Sequence, residues 1–217
     1  MLIELVIFDC DGVLVDSETL SNRVMVELVA ELGLHLQLDE AIALFKGRKM
    51  AECIAVVEER LGRAVPVDFV RQFRARSARA FESDLRPVPG ITAALDKISL
   101  PVCVASNGPR EKMDVALRVT GLWPYFDGRI FSSYDIESWK PEPGLFLYAA
   151  TNMGAEPEAC AVVEDSVLGV HAGVAAGMKV FGYAGAGEAE ALAEAGAQVF
   201  YDMSQLPSLL LDSNQAQ

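Results

Sequence analysis

The chain has 217 residues, 52% hydrophobic and 23% charged, with 31 acidic against 18 basic side chains and a formal charge of −13. That composition excludes a disordered or fibrous chain, and the negative balance excludes nucleic acid as a general partner, because phosphate backbones are repelled. No apolar run approaches the ~20 residues of a membrane-spanning helix, no export leader is read, and the four cysteines (Cys10, Cys53, Cys103, Cys160) have no metal-finger spacing. The expectation is a cytoplasmic protein in a reducing compartment, monomeric or weakly self-associating, with no membrane partner.

The first predicted element is the apolar run Leu5-Val6-Ile7-Phe8, which stops at Asp9-Cys10-Asp11-Gly12 and resumes at Val13-Leu14-Val15. A short run rich in Val and Ile, bounded by turn residues, reads as a strand buried on both faces. Such strands belong to parallel sheets covered by helices. After Asp16 the period becomes helical. Leu20, Val24, Leu28 and Leu32 recur at four-residue spacing and Gly33 ends the stripe. Asp39 reads as the cap of a short helix carrying Ile42, Leu44 and Phe45, followed by the link Lys46-Gly47-Arg48-Lys49. Cys53, Ile54, Val57 and Leu61 make a third stripe closed by Gly62, and Pro66 and Asp68 open a fourth helix through Phe69, Phe73 and Phe81. Residues 17–85 therefore read as a helical domain inserted into a core formed by 1–16 and 86–217.

Beyond Pro87, Pro89 and Gly90, helices and strands alternate. A short helix carries Ile91, Ala94 and Leu95, and the strand Val102-Cys103-Val104-Ala105 ends at Ser106-Asn107-Gly108. Pro109 opens a helix through Met113 and Leu117, Ile130-Phe131 is a weaker strand, and Lys140-Pro141-Glu142-Pro143 leads into a helix with Leu145, Phe146 and Ala149. Cys160-Ala161-Val162-Val163 is a strand ending at Glu164-Asp165-Ser166, and Val180-Phe181 and Gln198-Val199-Phe200-Tyr201 supply two more candidates. The alternation predicts an α/β fold with a Rossmann-like, doubly wound parallel sheet.

Parallel strands share one carboxyl-end edge, where open α/β sheets place their chemistry. Asp9 and Asp11, Ser106 and Asn107, and Glu164 and Asp165 all fall there, with Lys140 on a nearby loop. Clustered carboxylates repel unless a lysine and a hard cation neutralise them, and an all-oxygen donor set selects Mg2+. The layout suits phosphoryl transfer. One carboxylate takes the group as an acyl phosphate, the second protonates the leaving alkoxide and then activates water, and Mg2+, Lys140 and Ser106 spread the charge. A receiver-like phospho-acceptor uses a comparable cluster but has no helical insert and is about half this length.

FDCDGVLVDSE, VASNG, WKPEP and VVEDS, in that order and with a helical insert after the first, resemble the four motifs of the haloacid dehalogenase superfamily. The resemblance runs from Leu5 to about Met178. It implies Asp9 as nucleophile, Asp11 as general acid and base, and Ser106 and Lys140 as groups that orient the phosphate. It also implies Mg2+ held by Asp9, the Asp11 carbonyl and Asp165 with Glu164, and it makes the insert a cap that closes over substrate. The true dehalogenases are similar but lack an aspartate at the position of Asp11, since a halide leaves without a proton. Within the superfamily the chain is most similar to cap-bearing sugar-phosphate phosphatases and to β-phosphoglucomutase. FKGRKMAE, SNGPREKM and FSSYDIESWKPEP extend the likeness to phosphatases of 6-phosphogluconate. The expected partner is thus a small phosphorylated metabolite, contacted by Asn107 and Gly108 and, in the cap link, by Lys46, Gly47 and Arg48. A sugar-phosphate mutase is the alternative, weakened by Ser21 standing where those mutases carry a histidine.

Overall fold

The computed structural model describes residues 2–45, 48–185 and 188–215. The chain divides into two compact units, one formed by residues 1–15 and 87–217 and the other by 16–86.

The first unit opens with strand β1 (Leu5–Phe8), every residue of which is buried. The second unit contributes helices α1 (Glu18–Glu31), α2 (Leu38–Phe45), α3 (Met50–Leu61) and α4 (Phe69–Asp84). The first unit then continues through α5 (Ile91–Leu95), β2 (Val102–Ser106), α6 (Arg110–Val119), α7 (Trp123–Phe126), β3 (Ile130–Ser132), α8 (Ser133–Ile136) and α9 (Gly144–Met153). It closes with β4 (Cys160–Glu164), α10 (Val167–Ala175), β5 (Lys179–Tyr183), α11 (Ala189–Glu194), β6 (Gln198–Phe200) and α12 (Leu206–Gln215).

The six strands form one sheet in the order β3-β2-β1-β4-β5-β6, parallel throughout. The most apolar strand lies at its centre, with Phe8 opposite Val104 on one side and Val163 on the other. Alternate residues face opposite sides. Leu5 and Ile7 pack with Cys103, Val162 and the α9 residues Leu145 and Phe146, whereas Phe8 meets Phe126 of α7 edge to face at 6.1 Å. The chain order reverses between β1 and β4, so the crevice at their carboxyl ends is the switch point where doubly wound sheets bind ligands.

Val13-Leu14-Val15 is buried yet joins the sheet by no full strand. Val15 makes isolated bridges to Asp11 and Pro87 instead, which folds the segment back as a tight flap.

The helical unit has its own core, with Val24, Met25, Leu28 and Val29 of α1 against Phe45, Cys53, Val57 and Phe69. Gly62 caps α3 in the left-handed conformation and Asp68 is the N-cap of α4, both at the positions read from sequence. α2 differs. It begins at Leu38, so Asp39 lies inside the first turn, and Ala41 and Phe45 are the buried residues instead of Ile42 and Leu44. The four-residue helices α7 and α8 fall outside the expected set, because one turn is too short for a periodic signal. The four cysteines are free and buried. Among the described residues no helix is long and apolar enough to cross a membrane.

Candidate active site

The chain leaves β1 at Asp9, whose N–H donates to Val163 O at 3.0 Å and pins the residue between β1 and β4. The following turn closes on itself, with Gly12 N–H donating to Val15 O at 2.9 Å and the Leu14 and Val15 amides donating to Cys10 O. Gly12 adopts φ +80°, and a β-carbon built there would lie 2.1 Å from Asp165 Oδ2. The Asp165 carboxylate therefore rests directly against the turn that carries Asp9 and Asp11.

Lys140 binds the two strand ends together. Its Nζ lies 2.5 Å from Asp9 Oδ1 and 2.6 Å from Glu164 Oε1, and the three residues are 4%, 7% and 1% exposed in that order. Burial is the largest influence on the Asp9 carboxyl and lifts it to about 6; Lys140 pulls the other way, while Glu164 and Asp11 add to the rise. For Lys140 burial opposes the charge, but Asp9 and Glu164 outweigh it and raise the ammonium above its ordinary value. The charged forms hold one another in place.

The other oxygen of Glu164 accepts from Asp165 N at 3.0 Å, Ser166 N at 3.0 Å and Ser166 Oγ at 2.9 Å. Ser166 also N-caps α10 by accepting from Gly169 N at 3.1 Å. A β-carbon at residue 169 would stand 1.9 Å from the Glu164 carboxylate, so the first turn of α10 wraps it closely. Glu164, expected beside Asp165 as a metal ligand, thus accepts from protein donors through both oxygens and anchors Lys140 and the α10 turn.

β2 supplies the third wall. Ser106 Oγ accepts from Gly108 N at 3.4 Å. Asn107 Oδ1 accepts from Ser133 Oγ at 2.8 Å and from Lys140 N at 3.0 Å, and Ser132 Oγ donates to Gly108 O at 2.7 Å. The loop after β2 is thus tied to the loop that delivers Lys140. Asn107, expected at substrate, uses its carbonyl oxygen to join these loops.

Lys112 is the residue that sequence reasoning missed. Its Nζ lies 2.6 Å from Asp11 Oδ2. Burial opposes its charge as well, and the facing Asp11 carboxylate outweighs that and raises the ammonium. Each aspartate of the turn therefore has its own lysine. Asp9, Asp11, Ser106, Asn107, Gly108, Lys140, Glu164 and Asp165 converge as expected. Arg48 is exposed in the helical unit, its N–H donating to Phe45 O at 3.1 Å; Lys46 and Gly47 lie outside the described residues.

The donor chemistry fits Mg2+. Asp9 and Glu164 meet Lys140, Asp11 meets Lys112, and Asp165 lies against the same turn, an all-oxygen acidic set of the kind a hard divalent cation takes. Among the described residues no three His, Cys, Asp or Glu side chains form a metal-holding group.

Fold and site together define a doubly wound α/β protein with an acid- and lysine-lined crevice at its switch point. The family model for haloacid dehalogenase-like hydrolases matches residues 3–177, and the chain belongs to that family. It is 39% identical over 208 residues to the 6-phosphogluconate phosphatase of Escherichia coli (strain K12), covering 95% of this chain and 94% of that one. A solved haloacid dehalogenase-like protein from Agrobacterium tumefaciens superposes with a TM-score of 0.86 at 34% identity, over 99% of this chain and 100% of the other. A haloacid dehalogenase family hydrolase from Deinococcus radiodurans, solved with bound phosphate and sodium, gives a TM-score of 0.81 at 32% identity, over 97% and 96%.

Proposed function

We propose that this chain is a Mg2+-dependent phosphatase of small phosphorylated sugars or sugar acids, 6-phosphogluconate foremost, and that it works through an aspartyl-phosphate on Asp9. Phosphatase chemistry itself accords with the family and with the phosphatase it matches at 39% identity. The observation that carries the mechanism is the division of labour in the turn. Asp9 is buried and held by Lys140, while Asp11 points to a different cation, Lys112.

Asp9 attacks phosphorus, forming an O–P bond as the bond to the sugar oxygen breaks. Asp11 gives its proton to the departing alkoxide. In the second half, water attacks phosphorus, Asp11 takes the water proton, and Asp9 is released with inorganic phosphate. Lys140 and the Ser106 hydroxyl hold the phosphoryl oxygens in line. Asp9, Asp165 and the Asp11 carbonyl would hold Mg2+, which supplies positive charge against the phosphoryl oxygens when bound. The helical insert, residues 17–85, is proposed as the family's cap, with Lys46, Gly47 and Arg48 in its substrate-reading link. The acidic composition disfavours a nucleic-acid substrate, and the four free cysteines favour a reducing, cytoplasmic setting.

The test is phosphate release from a panel of phosphorylated sugars and sugar acids with Mg2+, together with the Asp9→Asn variant. Turnover greatest on 6-phosphogluconate and abolished in Asp9→Asn is expected. Full turnover in that variant would overturn the nucleophile, and glucose 6-phosphate made from β-glucose 1-phosphate with little free phosphate would make the chain a mutase.

A further inference from the structure

Asp11 is two positions from Asp9, whose carboxylate it repels, in a turn against which Asp165 also rests. Repulsion from like charge does not by itself hold a carboxylate in place; an opposite charge at hydrogen-bond distance does. Lys140 cannot supply it, because its ammonium is already shared between Asp9 and Glu164. The ammonium that does reach Asp11 comes from another element 101 positions away, through Lys112 on the first turn of α6. α6 is fixed to the core by Met113, Ala116 and Leu117, so the stem of Lys112 starts from a rigid point. The stem passes Gly108, whose β-carbon position lies at ordinary contact distance from Lys112 Cδ (3.7 Å), Ser106 Oγ (3.8 Å) and Asp11 Oδ2 (3.9 Å), so the three groups share one small space.

We propose that Lys112 is a positioning residue for Asp11, its ammonium holding the carboxylate in the one direction from which it can serve both proton transfers. The proposal rests on the reading of Asp11 as acid and base. The lysine and aspartate side chains are 30% and 31% exposed, and a partly solvated ion pair contributes only modestly to folding. Lys112→Met is therefore expected to fold and to melt within a few degrees of wild type, and kinetics run well below that temperature report on catalysis.

A leaving-group comparison separates this role from others. p-Nitrophenolate departs without a proton, so transfer of the phosphoryl group from p-nitrophenyl phosphate to Asp9 does not need Asp11. Release of phosphate from Asp9 does, because water must lose a proton as its oxygen bonds to phosphorus. In rapid mixing, Lys112→Met with Mg2+ is expected to give a burst of close to one p-nitrophenolate per enzyme and then a steady rate about 10–100-fold below wild type, within the range of acid–base catalysis. With the preferred sugar phosphate the expectation is the same loss in kcat, no burst, and KM within about two-fold. Lys112→Arg should restore most of the rate. Added to Asp11→Asn, Lys112→Met should have no further effect, because the two act as one unit.

A Lys112→Met variant with wild-type kcat, or one whose only change is a raised KM, would overturn the proposal; the second outcome would assign Lys112 to the substrate phosphate. Full turnover in Asp11→Asn alone would instead overturn the acid–base reading beneath it, so the two failures are distinguishable.

Discussion

The Asp165 carboxylate occupies the space that a β-carbon on Gly12 would need, with Oδ2 2.1 Å from that position. Gly12 is also at φ +80°, where an L side chain is strained by about 1–2 kcal/mol. Two separate demands therefore meet at one residue, and the second concerns the site. Gly12→Ala is expected to displace Asp165 and reduce turnover by at least about 100-fold, on the scale of losing one preorganised charge. Gly62→Ala is the matched control. It has a similar φ, +66°, and nothing within 4 Å of its β-carbon, so it should lose about 1 kcal/mol of stability and keep its activity. Equal activity loss in the two variants would show that backbone strain alone is responsible.

Burial lifts the Asp9 carboxyl to about 6, and this has a thermodynamic consequence for the metal-free protein. In the unfolded chain the group titrates near 3.9. Between about pH 4 and 6 the folded state therefore binds more protons than the unfolded one, and stability falls as pH rises through that window. Above it the destabilisation is complete, on the order of 2–3 kcal/mol. Asp9→Asn removes the titration and leaves Lys140 its Glu164 partner. With chelator present, this variant should melt higher than wild type at pH 8 by several degrees, with the gap closing toward pH 4.5. A lower melting point at pH 8 would contradict the account. An inactive variant that is more stable is the expected signature of a charge held in place for function.

The residues legible from sequence are those whose position follows from local rules. Asp9, Ser106 and Glu164 lie at or just beyond the ends of apolar runs, and a parallel sheet brings such ends to one edge. The family motifs point to the same residues. Glu164 lies at the strand end that the apolar run predicts, but the donors it accepts from are not legible, because which way a carboxylate turns depends on groups that the Asp165–Ser166 turn presents only once folded. Lys112 stands within SNGPREKM, but nothing in that stretch marks it as a partner of Asp11. Periodicity identifies Met113 and Leu117 as the buried side of α6, but it says nothing about which polar neighbour reaches a turn 101 positions earlier. The bonds from Ser132 and Ser133 to the Ser106–Gly108 loop were hidden for the same reason, compounded by the shortness of α8.

The assignment of ion-facing oxygens can be read by thermal shift. A ligand that binds only the folded state stabilises it by about 2.7 kcal/mol at one hundred times its dissociation constant. Wild type is expected to melt progressively higher with added Mg2+ and to return to its starting point with chelator. Asp165→Asn should lose most of that response. Glu164→Gln should melt lower at all Mg2+ concentrations, since both carboxylate oxygens accept from buried or part-buried donors and an amide has one acceptor only. Either Lys140 or the Asp165–Ser166 donors are left facing an NH2 group, yet the variant should keep the Mg2+ response. If Glu164→Gln loses the response and Asp165→Asn retains it, the two acids have been assigned the wrong way round.

Asn107 provides the last separation, between holding the site together and touching substrate. Its Oδ1 accepts from both Ser133 Oγ and Lys140 N, so truncation leaves two donors in a part-buried loop without an acceptor. Asn107→Ala is expected to lose about 1–3 kcal/mol of stability and to reduce kcat, because the Lys140 backbone is no longer fixed. Asn107→Asp keeps an acceptor at the same place and should stay within about 1 kcal/mol of wild type. It removes the amide donor, however, and adds a negative charge beside an anionic substrate. Its expected effect is therefore a raised KM with stability preserved, and steady-state kinetics paired with denaturant melts would resolve it. If Asn107→Asp is as unstable as Asn107→Ala, the loops are not joined through that oxygen.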